Sequence, residues 1–481
     1  MTGARQIVPL DTTAKRVLIV VQNLPVPLDR RVWLECRALY DAGFDVSVIC
    51  PKGPGDPSYA VLDGVHLFKY QPAPPARGFL GFAWEFFYSW LRTAMLSIRV
   101  QRRVGFDVLQ ACNPPDTYWL LAKLWKLATG GRITFVYDQH DLNPEVFLSR
   151  FGTPRGIIKR AQYAMLCWLE RRTYATADHV IATNESYRQA ALTRGNRRAD
   201  EVTVVRSGPD TARMRPIEGR PELRRGRRYL ACYLGIMGPQ DGVDVALRAL
   251  AHYVYEMGRS DLHLALLGFG DCFDELRSLA DELKLNDYVT FTGRADARMI
   301  SEYLSSADIG ISPDPLNPLN DVSTMNKTME YMAFALPVVA FDLKETRVSA
   351  GDAAVYVTPG DVAGFAKTIA MLLDDEESRV RMALAARARA AAVLDWEPQR
   401  RAYVGVFTRL IGTPLPRKKE LSWPAVDRRR AVKPGPLVDS FGNRLVDLRG
   451  HHELALYVPL RKLPEDSPAP SAGEADVDAH E

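Results

Sequence analysis

Between Ser323 and Ala340 the chain reads STMNKTMEYMAFALPVVA, and its polar side chains are spaced to act together. Asn326 suits a helix N-cap, and a short helix is expected from there to about Ala335, with Pro337 opening a strand. Asn326 and Glu330 lie four apart, and Lys327 and Glu330 three apart, which puts all three on one side of that helix. In the first turn, the Lys327 ammonium would add to free amides and the helix dipole, a combination that holds a phosphate. One turn on, the Glu330 carboxylate can accept two hydrogen bonds from the hydroxyls of a ribose. A plain helix start with a surface Lys–Glu pair has the same spacing, so the segment by itself leaves both readings open.

A second candidate is the run from Gly235 through Gly238 and Asp241 to Gly242, placed after an apolar stretch and before a helical one. Glycines at such a turn let backbone approach a diphosphate at a helix N-terminus. The spacing is GxxGxxxG, not the GxGxxG dinucleotide fingerprint, and close packing alone also requires glycine there. Gly268-Phe269-Gly270-Asp271 and Gly293-Arg294 end two further apolar runs. In the first half, Asp138-Gln139-His140-Asp141 sets a histidine among carboxylates at the end of another.

Such residues need a frame that brings strand ends to one edge. Short β-branched or aromatic runs begin at Val17, Asp45, Val65, Asp107, Ile133, His179 and Val202, several of them separated by helix-like stretches. A second series begins at Tyr229, Leu262, Val289, Ile309, Pro337 and Ala353. The fold class expected is α/β: two Rossmann-like, doubly wound parallel-sheet domains facing a cleft. The divisions expected are an extension over 1–14, a first domain over 15–207, a linker over 208–228 and a second domain over 229–395. A helix over 396–412 is expected to return to the first domain, followed by an extension over 413–481 with an acidic, solvated tail.

Composition agrees with soluble globular domains: of 481 residues, 47% are hydrophobic and 25% charged. At a roughly 150-residue domain size, two or three domains are expected. A net charge of +4 is too even to suggest nucleic acid as a partner. The six cysteines form no CxxC pair, so free thiols in a reducing compartment are expected, without zinc. The first residues lack the apolar core of a signal peptide, and a spanning helix is not expected. A cytoplasmic location is expected, peripheral on the inner face of the cell membrane where a membrane contact is made.

The stretches YLGIMGPQDGVD, LALLGFGDCFDEL, VTFTGRA, SADIGISPDP and NKTMEYMAFALPVVAFD, in that order, resemble the donor-binding domain of GT-B glycosyltransferases, specifically the family 4 retaining enzymes. RVLIVVQNLPVPLDRRVWLECRALYDAGFDVSVIC, DQHDLNPEVF and TADHVIATNESYR fit the preceding domain. The resemblance implies a transferase that takes a sugar from a nucleoside-diphosphate sugar. It places Glu330 on the ribose, Lys327 on the diphosphate and His140 beside the transferred sugar, these three being the catalytic candidates. Gly235, Gly238, Gly242, Gly268, Gly270, Arg294, Ser323 and Asn326 complete the donor candidates. Asn23, Arg30, Arg31, His140 and Asp141 are the acceptor candidates, because Asn23–Arg31 replaces the family's Gly-Gly loop.

The chain departs from the family pattern in three other places. The first acid of the usual Glu-x7-Glu pair is Val322, with Asp321 and Ser323 beside it. Where the family carries an arginine and a lysine near the first glycines, Ile236 and Asp241 stand. The lone Asp-x-Asp, Asp476-Val477-Asp478, lies in the tail, so no metal or other cofactor is expected and the nucleotide-sugar is the co-substrate. The mechanism implied by the resemblance is front-face substitution with retention, the leaving phosphate helping to deprotonate the acceptor.

Phe82, Trp84, Phe86, Phe87 and Trp90 are followed by Arg92 and Arg99, a pattern suited to a membrane interface or to an amphipathic helix packed on a sheet. With a membrane contact, a polyprenyl-diphosphate-linked saccharide becomes the natural acceptor, as in exopolysaccharide or O-antigen assembly. Two other functions fit the same sequence: a nucleotide-sugar epimerase, and a non-catalytic sugar-nucleotide-binding subunit of a glycan-assembly complex.

Overall fold

The computed structural model describes residues 15–53, 55–73 and 78–414; within 78–83 only Gly81 has a described environment. The expected extension over 1–14, nearly all of that over 413–481, and the side chain of Phe82 lie outside the described residues.

The first unit runs β1 (Arg16–Val20), α1 (Arg30–Asp41), β2 (Asp45–Pro51), β3 (Tyr59–Leu62), β4 (Val65–Tyr70), α2 (Gly78–Arg103) and β5 (Val108–Cys112). It continues through α3 (Trp119–Ala128), β6 (Thr134–Gln139), α4 (Asn143–Phe151), α5 (Gly156–Thr176), β7 (His179–Ala182), α6 (Glu185–Thr193) and β8 (Val202–Val204). Its eight strands lie in the order β3-β4-β2-β1-β5-β6-β7-β8, parallel except for β3. β3 is absent from the sequence-based expectation. It is an exposed edge strand joined to β4 by Asp63 and Gly64, whose φ values of 47° and 81° are those of a type I′ hairpin turn.

The second unit runs β9 (Tyr229–Leu234), α7 (Val243–Ala251), β10 (Leu262–Leu267), α8 (Phe273–Glu282), β11 (Val289–Gly293), α9 (Ala297–Ser306) and β12 (Ile309–Ser312). It is completed by α10 (Asn326–Ala333), β13 (Val338–Phe341), α11 (Lys344–Ala350), β14 (Ala354–Val357), α12 (Val362–Asp374) and α13 (Glu376–Arg389). Its six strands are all parallel, in the order β11-β10-β9-β12-β13-β14. In each sheet the order reverses beside the first strand, and the loops at the carboxyl ends there form the crevice in which such sheets bind ligands.

Both faces of each sheet are covered, so the central strands are apolar throughout: Leu18–Val20 and Tyr229–Leu234 are buried. Short polar side chains start the helices, with Asp29 capping α1, Asn184 capping α6 and Asp296 capping α9. Much of the expected linker is anchored to the second unit. Arg224 grips Asp308 at 2.7 and 3.1 Å, and Ser305 and Ser306 accept from the amides of Ile217 and Arg220.

The chain crosses between the units twice. After α13, α14 (Trp396–Ile411) packs on the first unit, where Trp396, Tyr403, Val406 and Phe407 join the core of β1, β2 and α1. The two crossings touch. Trp396 donates its amide to Pro209 O at 3.0 Å, and a Cβ on Gly208 would lie 1.8 Å from Leu394 O.

Candidate functional site

α10 carries three of the predicted groups, Asn326, Lys327 and Glu330, with one change at its start. Met325 is the N-cap and makes no side-chain bond, so Asn326 is the first helical residue and stands exposed. Lys327 is buried, its ammonium in contact with Asp314, 3.9 Å from Asp241 and 5.1 Å from the centroid of the Tyr233 ring. A buried carboxylate needs such a partner, so the lysine that the sequence offers to a phosphate is held first by two acids. Burial pushes the Asp241 carboxyl up, against the opposing pull of Lys327. Glu330 faces the other domain, its Oε1 2.7 Å from Arg30 Nη1.

The glycine loops are knitted to each other. Gly235 donates to Leu267 O, Gly268 to Gly293 O and Gly238 to Asp241 Oδ2, each at 3.0 Å. A Cβ on Gly268 would lie 1.8 Å from Gly235 O, and one on Gly270 2.5 Å from Met237 O. Gly242 combines a φ of +67° with a would-be Cβ contact of 2.0 Å to Pro313 O, so it admits no side chain. These glycines let backbones touch, and three of their amides are already bound within the protein. Beside them Arg294 lies over the exposed Phe269 ring at 4.7 Å, a cation–π pair at the rim.

In the first domain, β6 ends in a buried charge network that sequence spacing could not reveal. Glu35, Cys112, Asp138 and His140 bring ligand-type atoms within 4.8 Å of one another. Arg31 lies among them, with Nη2 2.9 Å from Asp138 Oδ1 and Nε 3.0 Å from Glu35 Oε1, and supplies the cluster's positive charge. Burial pushes Glu35 well above the carboxylate range, helped by the charge of Asp138 and opposed by Arg31. Burial alone would raise Asp138 too, but Arg31 and His140 pull it well below its ordinary value. Of the two carboxyls, Glu35 is therefore held toward its neutral form and Asp138 toward its ionised form.

Ionised Asp138 fixes the ring beside it. His140 Nε2 lies 2.8 Å from Asp138 Oδ2, so this nitrogen carries the hydrogen and cannot also accept from Arg31 Nε at 3.1 Å. In the neutral ring Nδ1 is then the basic nitrogen. The backbone amides of His140 and Asp141 both donate to Asn113 Oδ1, at 2.7 and 3.1 Å. Burial raises the Asp141 carboxyl, with His140 and Arg150 opposing. Of the acceptor candidates, Arg30 and Arg31 turn toward Glu330 and the buried network, while Asn23 lies exposed on the loop after β1.

The segment before α10 is held by the first domain. Asn184 donates to Val322 O at 2.9 Å and to Thr324 Oγ1 at 3.1 Å, and Tyr187 meets Ser323 Oγ at 3.0 Å. Ser186 donates to Glu345 on α11 at 2.6 Å, and Arg206 lies 3.7 Å from the same carboxylate. Of the two neighbours of Val322, Asp321 accepts from the Lys344 amide and Ser323 is turned to Tyr187.

α2 has two apolar faces. Leu96 and Val100 are buried, and Trp90 turns partly inward onto the same core. Trp84, Phe87, Leu91, Met95 and Ile98 recur at intervals of three and four and are exposed, with Phe86 beside them. Arg92 is half-buried and Arg99 exposed. Leu120, Leu124 and Leu127 of α3 and Ile157, Ile158, Met165 and Trp168 of α5 are exposed as well. No helix among the described residues is long and apolar enough to cross a membrane.

Comparison with known proteins fits this arrangement. Residues 28–208 match a domain family described as glycosyl transferase 4-like, and residues 228–375 match glycosyl transferases group 1. Glycogen synthase of Mycobacterium tuberculosis is 28% identical over 259 residues, 53% of this chain and 59% of that protein, so the chain spans about three-fifths of this relative's length. Sucrose-phosphate synthase of Thermosynechococcus elongatus superposes with a TM-score of 0.66 at 19% identity, covering 82% of this chain and 99% of its own. HepE of Anabaena, solved in complex with UDP-glucose, gives 0.58 at 18% identity, with coverages of 82% and 99%.

Proposed function

We propose that this chain, which belongs to the GT-B glycosyltransferase superfamily, moves a sugar from a nucleoside-diphosphate sugar to a saccharide or lipid-linked acceptor. One observation carries the reading. Of the consecutive residues Arg30 and Arg31, the first bonds Glu330 and the second pairs with Asp138, which holds the His140 ring, so the candidate ribose-binding group and the candidate sugar-side group sit across one cleft from each other. HepE binds UDP-glucose on the same fold, which supports a sugar nucleotide as donor.

In this reading Glu330 receives the ribose, and the uncapped start of α10 receives the diphosphate. Departure of the nucleoside diphosphate requires its growing charge to be met by fixed donors, which amides and cations supply. His140 lies beside the transferred sugar, its ring locked by Asp138. Front-face transfer with retention, as in family 4, suits a site in which one domain holds the donor and the other presents the acceptor. No resident metal or other cofactor is part of this scheme.

The exposed stripe on α2 supports a peripheral contact with a membrane, and hence a polyprenyl-diphosphate-linked acceptor of the kind used in exopolysaccharide or O-antigen assembly. Cations accompany the apolar groups. Lys123 lies over Trp119, Lys159 over Phe151 and Arg172 over Trp168, within 5.2, 5.7 and 5.4 Å of the ring centroids.

A non-catalytic, sugar-nucleotide-binding role is the second reading, favoured by Val322 and by the two acids around Lys327. A thermal-shift screen of the purified protein against UDP, GDP, ADP and TDP and their common sugars decides the donor class. A shift with one nucleotide, lost in Glu330→Ala, is the expected result; no shift with any would remove the donor reading. Turnover of the stabilising sugar nucleotide separates an enzyme from a binding subunit.

A further inference from the structure

The donor site as described is short of positive charge. At the two positions where cations would be expected beside the first glycines stand Ile236 and Asp241, and Lys327 is shared between Asp314 and Asp241. Arg294 lies on Phe269, Arg206 faces Glu345, and Arg31 is buried against Asp138 and Glu35. A departing nucleoside diphosphate would meet two carboxylates and one ammonium there. Arg30 is placed differently. Its side chain is 61% exposed, its backbone is fixed as the first residue of α1 by the Asp29 cap, and its guanidinium bonds Glu330 and makes a weak contact with Met214 Sδ at 3.6 Å.

Building on the donor reading above, we propose that Arg30 reaches across from the first domain to supply the cation for the donor's diphosphate, and that Glu330 holds it until the ribose takes its place. The two groups exchange partners. Glu330 gives up a guanidinium and accepts ribose hydroxyls; Arg30 gives up a carboxylate and donates to phosphate oxygens, a fork geometry that arginine fits well. The movement is short, because Glu330 lies about one helical turn, ~5.4 Å, from the uncapped start of α10 where a phosphate would rest. The exchange also ties the donor to domain closure, since the arginine and the carboxylate belong to different domains. Arg30 is thereby a donor-side residue and not a contact for acceptor phosphates.

The test is calorimetric titration of wild type, Arg30→Ala and Arg30→Lys with UDP, GDP, ADP and TDP and with the nucleoside matching whichever binds. Arg30→Ala should weaken the diphosphate at least tenfold while the nucleoside binds as tightly as to wild type or more so, because Glu330 is freed. Arg30→Lys should recover part of the diphosphate affinity. If Arg30→Ala leaves diphosphate affinity unchanged or improves it together with the nucleoside, the arginine is only a competitor for Glu330 and the proposal fails. If wild type binds none of the four diphosphates, the donor reading itself falls and takes this proposal with it. Melting curves of all three proteins confirm that the exposed side chain is dispensable for folding.

Discussion

Asp314, two residues beyond β12, and Lys327, in the first turn of α10, form an ion pair in which both side chains are less than one-tenth exposed. Removing one partner of such a pair strands the other charge. Lys327→Ala should cost about 3–5 kcal/mol of stability, read from urea unfolding. Adding Asp314→Asn should restore much of the loss. A loss under about 1 kcal/mol would mark the pair as an ordinary surface contact.

Glu330→Ala should lower transfer by one to two orders of magnitude, the value of about 1.5–3 kcal/mol for hydrogen bonds to a charged group. Most of the change should appear in donor affinity, measured by steady-state kinetics. Near-normal turnover would detach Glu330 from the ribose.

The opposed shifts of Glu35 on α1 and Asp138 on β6 make an unusual forecast for Asp138→Asn. With the neighbouring charge gone, Glu35 can ionise and pair with Arg31, so the variant should fold with modest loss while the lock on the His140 ring is removed and kcat falls. Glu35→Gln with Asp138→Asn leaves Arg31 buried without a counter-charge. That double variant should be less stable than the sum of the singles by about 3–5 kcal/mol in chemical denaturation.

His179 on β7 meets Thr203 of β8 at 2.9 Å, and His263 on β10 meets Thr290 of β11 at 2.8 Å, so in each sheet an imidazole fastens an edge strand. Burial, then Arg409 and Arg197, lowers His179 to about 4; burial, then Arg225 and Arg227, lowers His263 to about 4. Unfolded imidazoles titrate near 6.5, so between pH 6.5 and 4 the unfolded chain binds more protons and stability falls as pH falls. Tm should drop across that window and the slope should flatten in a variant carrying His179→Gln and His263→Gln.

Trp84→Asp with Phe87→Asp should move the protein from anionic vesicles to the supernatant in a sedimentation assay while its melting temperature holds. Unchanged sedimentation would return the stripe on α2 to a role other than lipid contact.

Parallel strands and their helices were readable because burial on both faces writes continuous apolar runs, as in Tyr229–Leu234. The hairpin of β3 went unread although Asp63-Gly64 signals its turn, because Tyr59–Leu62 faces water and lacks a core pattern. At the site, Lys327 and Glu330 could be picked out together because a helix fixes residues three and four apart. Asp314 is 13 residues from Lys327 and Arg30 is 300 from Glu330, distances over which only the folded chain brings charges together. The N-cap misassignment at Asn326 has a similar cause: a good capping side chain was present one residue too late.

The paired crossings at Pro209 and Trp396 have a mechanical corollary. Two bodies joined by a single strand can swivel freely, whereas two strands laid side by side behave as a door hung on two pins. Opening about one axis stays easy and twisting is resisted. A single proteolytic nick in either crossing would leave the halves tethered by the other. The absence of a side chain at Gly208, where a Cβ would sit 1.8 Å from Leu394 O, sets how closely the pins can lie. Gly208→Ala would press a methyl group against Leu394 O and force the two crossings apart.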